Sequence, residues 1–377
     1  MSIPGITAPP VAGGMEPLAF LNLLRPNETL VDAYKFRVRD GNHFGDEHYL
    51  LAISQSVASR RFVDLGPAAP IDSAINSFYS SLYSPQNAAD WKALQRLVVH
   101  PIVAALPTGT NEIVLSPDSS LALVPFASLM LDMGIPASIS IVPSAYDFAR
   151  LRDGPGPAAG KRALVIGNLS YGADRGTFSS LPGTKQEMEK VAELAVGAGF
   201  QTETLSGSQA TRAAILNKIR ETPLLHFATH GFWADPESAD ASEAFRSAGV
   251  ALSLANSGSP ESLLRAEDIL HLDLSRVQLI ALSACESGQG RPVEGQGMIG
   301  FQTAFMAAGA RSLLLSLWSV PDEATSQLMQ GFYKALWRTP SISESEALRQ
   351  AQEHLRSDPK FVDPLNWAAW VLVGDTR

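Results

Sequence analysis

Leu279-Ile280-Ala281-Leu282-Ser283-Ala284-Cys285 is an apolar run that ends on the only cysteine in 377 residues. The glycine-bearing turn Glu286-Ser287-Gly288-Gln289-Gly290 follows at once. Upstream, a second apolar run, Leu224-Leu225-His226-Phe227-Ala228-Thr229, ends on His230-Gly231. Short, wholly apolar runs bounded by turn signals read as strands buried on both faces of a parallel sheet. Ligands bind beyond the carboxyl ends of such strands, so His230 and Cys285 are expected at one edge. A thiol of ordinary pKa near ~8.5 is mostly protonated at neutral pH. A neighbouring imidazole can take its proton and pass it to a leaving amine. The pair predicts a cysteine–histidine hydrolase. The backbone N–H groups of Gly231 and Cys285 would form its oxyanion hole, each donor worth about 3 kcal/mol.

Outward from these strands the pattern is regular. Asp153-Gly154-Pro155-Gly156-Pro157-Ala158-Ala159-Gly160 is the clearest boundary. It divides a flexible lead-in (1–15) and an N-terminal lobe (16–150) from a linker (151–160) and a second domain (161–377). The lobe carries strand-like runs at 34–38, 49–53, 62–65, 113–115 and 139–142, with helical periodicity over 71–82 and 91–106. In the second domain, strands are expected at 163–167, 202–205, 250–254, 312–320 and 369–373, besides the two already quoted. Helices are expected at 211–220, 266–272, 297–308, 323–337 and 343–357, and Thr184-Lys185-Gln186-Glu187 reads as a capping box opening another. Alternation of strands and helices predicts a mostly parallel α/β sheet covered on both faces.

Composition removes several classes. A net charge of −9 without a Lys/Arg cluster argues against a nucleic-acid surface. No apolar stretch approaches the roughly 20 residues that span a bilayer, and residues 1–14 lack the features of a secretory signal. One cysteine makes no internal disulfide and no thiolate-rich zinc site, which suits a reducing cytoplasm. The glycine triplet Gly295-Gln296-Gly297-Met298-Ile299-Gly300 fits G-x-G-x-x-G. It begins about ten residues after its strand, however, and reads as a turn rather than a dinucleotide site.

The residues around both strand ends carry more. His226-Phe227-Ala228-Thr229-His230-Gly231 and Leu282-Ser283-Ala284-Cys285-Glu286-Ser287-Gly288 resemble the two signatures of the CHAT family of caspase-like proteins. Further landmarks resemble that family in order. They are Leu115-Ser116-Pro117-Asp118, Leu123-Val124-Pro125-Phe126, Leu181-Pro182-Gly183-Thr184, Gly295-Gln296-Gly297, Ala308-Gly309-Ala310-Arg311, Ser316-Leu317-Trp318-Ser319-Val320, Trp367-Ala368-Ala369 and Gly374-Asp375.

The resemblance implies a caspase-like sheet of about six strands preceded by a smaller, degenerate lobe. It implies a cytoplasmic, bacterial endopeptidase with His230 as general base and acid and Cys285 as nucleophile. It also implies a protein substrate, no metal and no organic cofactor. A regulatory tetratricopeptide-repeat partner is implied as well, although no repeat array is visible in this chain. The stretch ending at Ser319, Val320 and Asp322 would pair with substrate backbone and line the pocket before the cut. Asp322 would there favour a basic residue, and it also reads as an N-cap for the helix that follows. His226, mid-strand, reads as a hydrogen-bonded core histidine. The acidic segment 234–249 reads as a solvated loop placed to act as a flap. The alternative function is a non-catalytic scaffold that binds proteins along the sheet edge.

Overall fold

A computed structural model describes residues 18–40, 43–154, 160–172, 176–233, 241–284, 290–293, 297–339 and 341–376. The chain divides into two units, one formed by the described residues up to Gly154 with 292–298, the other by the remainder. In the first unit five strands, β1 (Glu28–Asp40), β2 (His43–Ser54), β3 (Arg61–Pro67), β4 (Glu112–Ser116) and β5 (Ser138–Ile141), lie in the order β3-β2-β1-β4-β5. The first three form an antiparallel meander, and β1, β4 and β5 run parallel. All five expected strands are present. The helical stretches appear at Ala68–Ser80 and, continuous through one π segment, from Asn87 to Ala105.

The second unit holds β6 (Arg162–Ile166), β7 (Gln201–Leu205), β8 (Leu224–Ala228), β9 (Gly231–Trp233), β10 (Ala248–Ala251), β11 (Leu263–Arg265) and β12 (Leu279–Ser283). After these come β15 (Ser312–Ser316) and β16 (Trp370–Gly374), while the paired strands β13 (Gly290–Val293) and β14 (Gly297–Gly300) are divided between the two units. Six of them form the sheet β16-β15-β12-β8-β6-β7, parallel throughout except for β16. Every residue of β8, β12, β15 and β16 is buried, whereas the edge strand β7 is mostly exposed. That is why the central strands read as unbroken apolar runs.

The strand order also explains where a site forms. From β6 the chain moves outward to β7, crosses back to β8, and then advances through β12 to β15. Right-handed crossovers place helices on opposite faces when the direction reverses. The loops after β6 and β8 therefore diverge at their carboxyl ends and leave a crevice at this switch point.

Three expectations need correction. The helix proposed for 297–308 begins only at Phe301, because Gly297–Gly300 is strand β14, paired with β13. The strand proposed for 312–320 ends at Ser316. Segment 234–249 contains a short helix, Ala241–Arg246, while 234–240 lies outside the described residues. No described helix is long and apolar enough to cross a membrane.

Candidate active site

β8 and β12 pair in parallel with Phe227 opposite Leu282 and Ala228 opposite Ser283. One further bond, Thr229 N–H to the Ser283 carbonyl at 3.3 Å, continues the ladder past the strand ends. The Thr229 hydroxyl donates to the Ala251 carbonyl at 2.7 Å, and Ala251 N–H donates to the His230 carbonyl at 2.9 Å. The histidine backbone is thus fixed to β10 on one side and to the main sheet on the other.

The imidazole is held with equal care. His230 Nε2 lies 2.7 Å from the Ser179 carbonyl oxygen, and a carbonyl only accepts. Nε2 therefore carries the proton, leaving Nδ1 of the neutral ring as the nitrogen with a lone pair. The rings of Tyr171 and Phe178 flank it with centroids 5.0 and 5.6 Å away. The Tyr171 hydroxyl shares a 2.8 Å hydrogen bond with Thr229. Both aromatic residues and Ser179 lie in the loop after β6, on the far side of the switch point.

Gly231 opens β9, the outer strand of the sheet β11-β10-β9, opposite Val250. The Ala251-to-His230 bond makes that preceding pair the hydrogen-bonded one. Antiparallel ladders alternate, so the N–H of Gly231 turns away from β10 toward the open edge. Cys285 and the turn through Gln289 lie outside the described residues.

A small cleft opens at the same edge, lined among others by Thr184, Glu187, Ser283, Ala284, Val320 and Asp322. Its described lining residues include two carboxylates and no Lys or Arg. The Ser316 hydroxyl donates to the Ala284 carbonyl at 2.9 Å and fixes one wall. Ser283 Oγ is buried and has no hydrogen-bond partner among the described residues. Ser319 is not part of the lining.

Asp322 is the first residue of the helix Asp322–Arg338, whose N-cap is Pro321 with no side-chain capping bond. The N-cap reading is therefore replaced by a position on the cleft wall. Its side chain packs on Gly183, where an added Cβ would lie 2.7 Å from the Asp322 Cβ.

The expected capping box is also absent. The helix Gly183–Gly197 is capped by Pro182 without a side-chain bond. Thr184 Oγ1 instead donates to the Leu181 carbonyl at 2.7 Å and accepts from Asn168 N–H at 3.2 Å. Glu187 turns inward, 2% exposed, with Oε1 3.0 Å from His226 Nε2 but lacking the alignment of a hydrogen bond.

His226 is wholly buried, as its mid-strand position predicts. Its Nδ1 lies 3.2 Å from the Tyr333 hydroxyl. Burial, with the charges of Glu187 and Glu344 adding, holds Tyr333 well above the ordinary phenol range. The phenol therefore stays neutral beside Nδ1, and Nε2 faces the carboxylate.

Of the residues singled out in the sequence, the structure brings His230, Gly231, Val320 and Asp322 to one edge. Sequence reading missed Tyr171, Phe178, Ser179 and Glu187. A main-chain carbonyl leaves no side-chain signature. For Glu187 there was a signal, since it lies four residues before Val191 and eight before Ala195, both fully buried on the same helix face. No group of three His, Cys, Asp or Glu suited to a metal occurs among the described residues.

Comparison with family models matches the CHAT domain to residues 89–375. Tetratricopeptide repeat protein 28 of Mus musculus is 28% identical over 328 residues, covering 75% of this chain and 13% of that protein. Its Homo sapiens counterpart is 28% identical over 334 residues with the same coverage. The chain thus spans only 13% of the length of these relatives. Among solved structures, the Saccharomyces cerevisiae separase–securin complex matches with a TM-score of 0.56 and 12% identity. That match covers 94% of this chain and 30% of the other. The Arg specific cysteine proteinase gingipain R matches with a TM-score of 0.52 and 14% identity, covering 76% and 67%. At these identities the likeness is one of fold, and the fold is caspase-like.

Proposed function

The chain belongs to the CHAT domain family, and from that premise we propose that it is a cysteine endopeptidase with Cys285 as nucleophile and His230 as base. The observation that carries this reading is the strand register. Ala228 sits opposite Ser283 where two neighbouring strands end, and in the sequence His230 and Cys285 each come two residues after those ends. The thiol proton passes to Nδ1 of His230 while Sγ attacks the peptide carbonyl carbon. The resulting oxyanion is received by the N–H groups of Gly231 and Cys285, each worth about 3 kcal/mol in the transition state. His230 then protonates the leaving amine, and the C–N bond breaks to give a thioester. Water, deprotonated by the same imidazole, attacks the thioester and releases the carboxylic acid and the thiol.

The substrate is a protein segment. Its backbone pairs with the main chain at Ser319 and Val320 by strand addition, and the side chain before the cut enters the acidic cleft. Glu187 and Asp322 favour Arg or Lys there, in keeping with the description of gingipain R as Arg specific. The relatives are named for tetratricopeptide repeats, which supports a repeat-containing region as regulator. The solved separase is bound to securin, which supports control by a protein partner.

A thiol-reactive peptide probe with a basic terminal residue tests this directly, because Cys285 is the only thiol in the chain. Labelling is expected in the wild type and not in Cys285→Ala. A folded protein that is not labelled and cleaves nothing would instead be a non-catalytic scaffold using the same edge.

A further inference from the structure

The grip on the imidazole is itself held by a side chain that takes no part in the reaction. Asn256 lies in the short 3-10 turn Ala255–Ser257, next to Leu254, whose backbone is left-handed with φ 61°. Its amide engages both polar groups of one main-chain residue. Phe178 N–H donates to Oδ1 at 2.9 Å, and Nδ2 donates to the Phe178 carbonyl at 2.8 Å. The Asn256 backbone N–H donates to the Tyr171 carbonyl at 2.8 Å. One residue therefore fixes both residues whose rings flank His230. The carbonyl that receives Nε2–H belongs to the next residue in the chain, Ser179. Gly176 completes the arrangement, since a Cβ there would collide with the Asn256 side-chain amide.

We propose that Asn256 is a positioning residue for the general base. It clamps the loop after β6 so that the Ser179 carbonyl holds Nε2–H and leaves Nδ1 to receive the thiol proton. This rests on His230 acting as the base. A side-chain amide carries both a donor and an acceptor group, which is what a main-chain N–H and C=O together require. Aspartate keeps the shape and loses the donor, and alanine loses both. Without the clamp the carbonyl is no longer fixed and the neutral ring distributes its proton over both nitrogens.

The test is nitrogen NMR of the histidine rings in the full chain, with the His230 signals identified by their loss in His230→Gln. The wild type is expected to show His230 as the Nε2–H tautomer, and Asn256→Ala a mixture of the two. In peptide cleavage, kcat should fall about 10-fold while KM stays within about 2-fold, the pattern of a lost transition-state alignment. Alkylation of Cys285 by iodoacetamide should slow by a similar factor. Should Asn256→Ala not fold, Asn256→Asp and Gly176→Ala carry the same test, the latter by pushing the amide aside. An unchanged Nε2–H tautomer in the folded variants overturns the proposal. The tautomer is read without turnover, so it decides the clamp even if the wild type neither cleaves nor alkylates, an outcome that would instead end the peptidase reading.

Discussion

Both units place polar side chains at the carboxyl edge of parallel strands, and they treat them in opposite ways. In the first unit Asp32 on β1 is the register partner of Ser116 on β4. Asp32 accepts from the Tyr34 hydroxyl, and Asp118 accepts from Lys35 N–H at 2.8 Å. The Lys35 ammonium reaches Asp72 at 3.0 Å and Glu47 at 3.1 Å, and Tyr49 donates to Asp72 at 2.7 Å. Each of these groups is answered by another. In the second unit Ser283 Oγ is buried beside a cleft without a hydrogen-bond partner among the described residues, and Glu187 in the same lining has only the misaligned approach of His226 Nε2 at 3.0 Å. Folded chains leave few buried polar groups unanswered. The closed edge is what remains when this architecture serves stability alone, and the open edge is where binding and chemistry are expected.

The strongest way to break this contrast is to remove the reacting groups. Cys285→Ala or His230→Ala should lower peptide cleavage by about 10³-fold or more. Thermal melting should leave Tm within about 3 °C of the wild type. A variant that still cleaves, in a preparation free of contaminating peptidase, would remove the open edge as the catalytic one.

A smaller effect separates the two carboxylates of the cleft from structural acids. Glu187→Gln and Asp322→Asn should each reduce kcat/KM for substrates with Arg before the cut by about 10- to 100-fold, the loss of one charge-assisted contact. Cleavage after an apolar residue should change by less than about 3-fold. A peptide library compared across the three proteins measures this. Equal losses for both substrate classes would return these acids to the same standing as Asp32 and Asp118.

How much of this was legible beforehand differs between strands and loops. The buried strands declared themselves because parallel sheets covered on both faces leave unbroken apolar runs, and β8 and β12 are wholly buried. The place of His230 just past a strand end was legible because it follows such a run. Glu187 was misread because Thr-x-x-Glu before a helix has a sound local meaning. Here a longer-range contact with His226 outweighs it. Only the N-cap reading of Asp322 failed, since Pro321, with its fixed φ, already stands at the N-cap. The Ser179 carbonyl and the Asn256 clamp were not legible at all. They join segments about 50 to 80 residues apart through main-chain atoms that every residue possesses.

The closed edge should respond in stability alone. Asp118→Ala strands the Lys35 N–H and should cost about 1–3 kcal/mol in chemical denaturation. Its kcat should stay within about 2-fold of the wild type. A loss of turnover without a loss of stability would show that the first unit contributes to the reaction and would dissolve the contrast.

Glu344 shows that an unanswered buried oxygen does not by itself mark a site. Its Oε2 also has no hydrogen-bond partner among the described residues, yet it lies near Ser312 at the amino end of β15, away from the cleft. Burial pushes its carboxyl from the ordinary 4.5 up to about 8, against the pull of Ser312 and with the charge of Asp375 adding to the rise. At neutral pH the folded chain therefore holds a proton there that the unfolded chain has released. Stability should fall as pH rises from about 4.5 to about 8 and level off above that, since the folded state binds more protons across that window. Glu344→Gln, neutral at every pH, should flatten this slope and stabilise the protein by about 1–2 kcal/mol near pH 8, read from denaturant midpoints. Cleavage should be unaffected, because a protonated acid at the amino edge presents no charge to a substrate. A slope unchanged by the substitution would mean that Glu344 is ionised in the fold. The distinction between an open edge and a merely buried acid would then need a criterion other than charge.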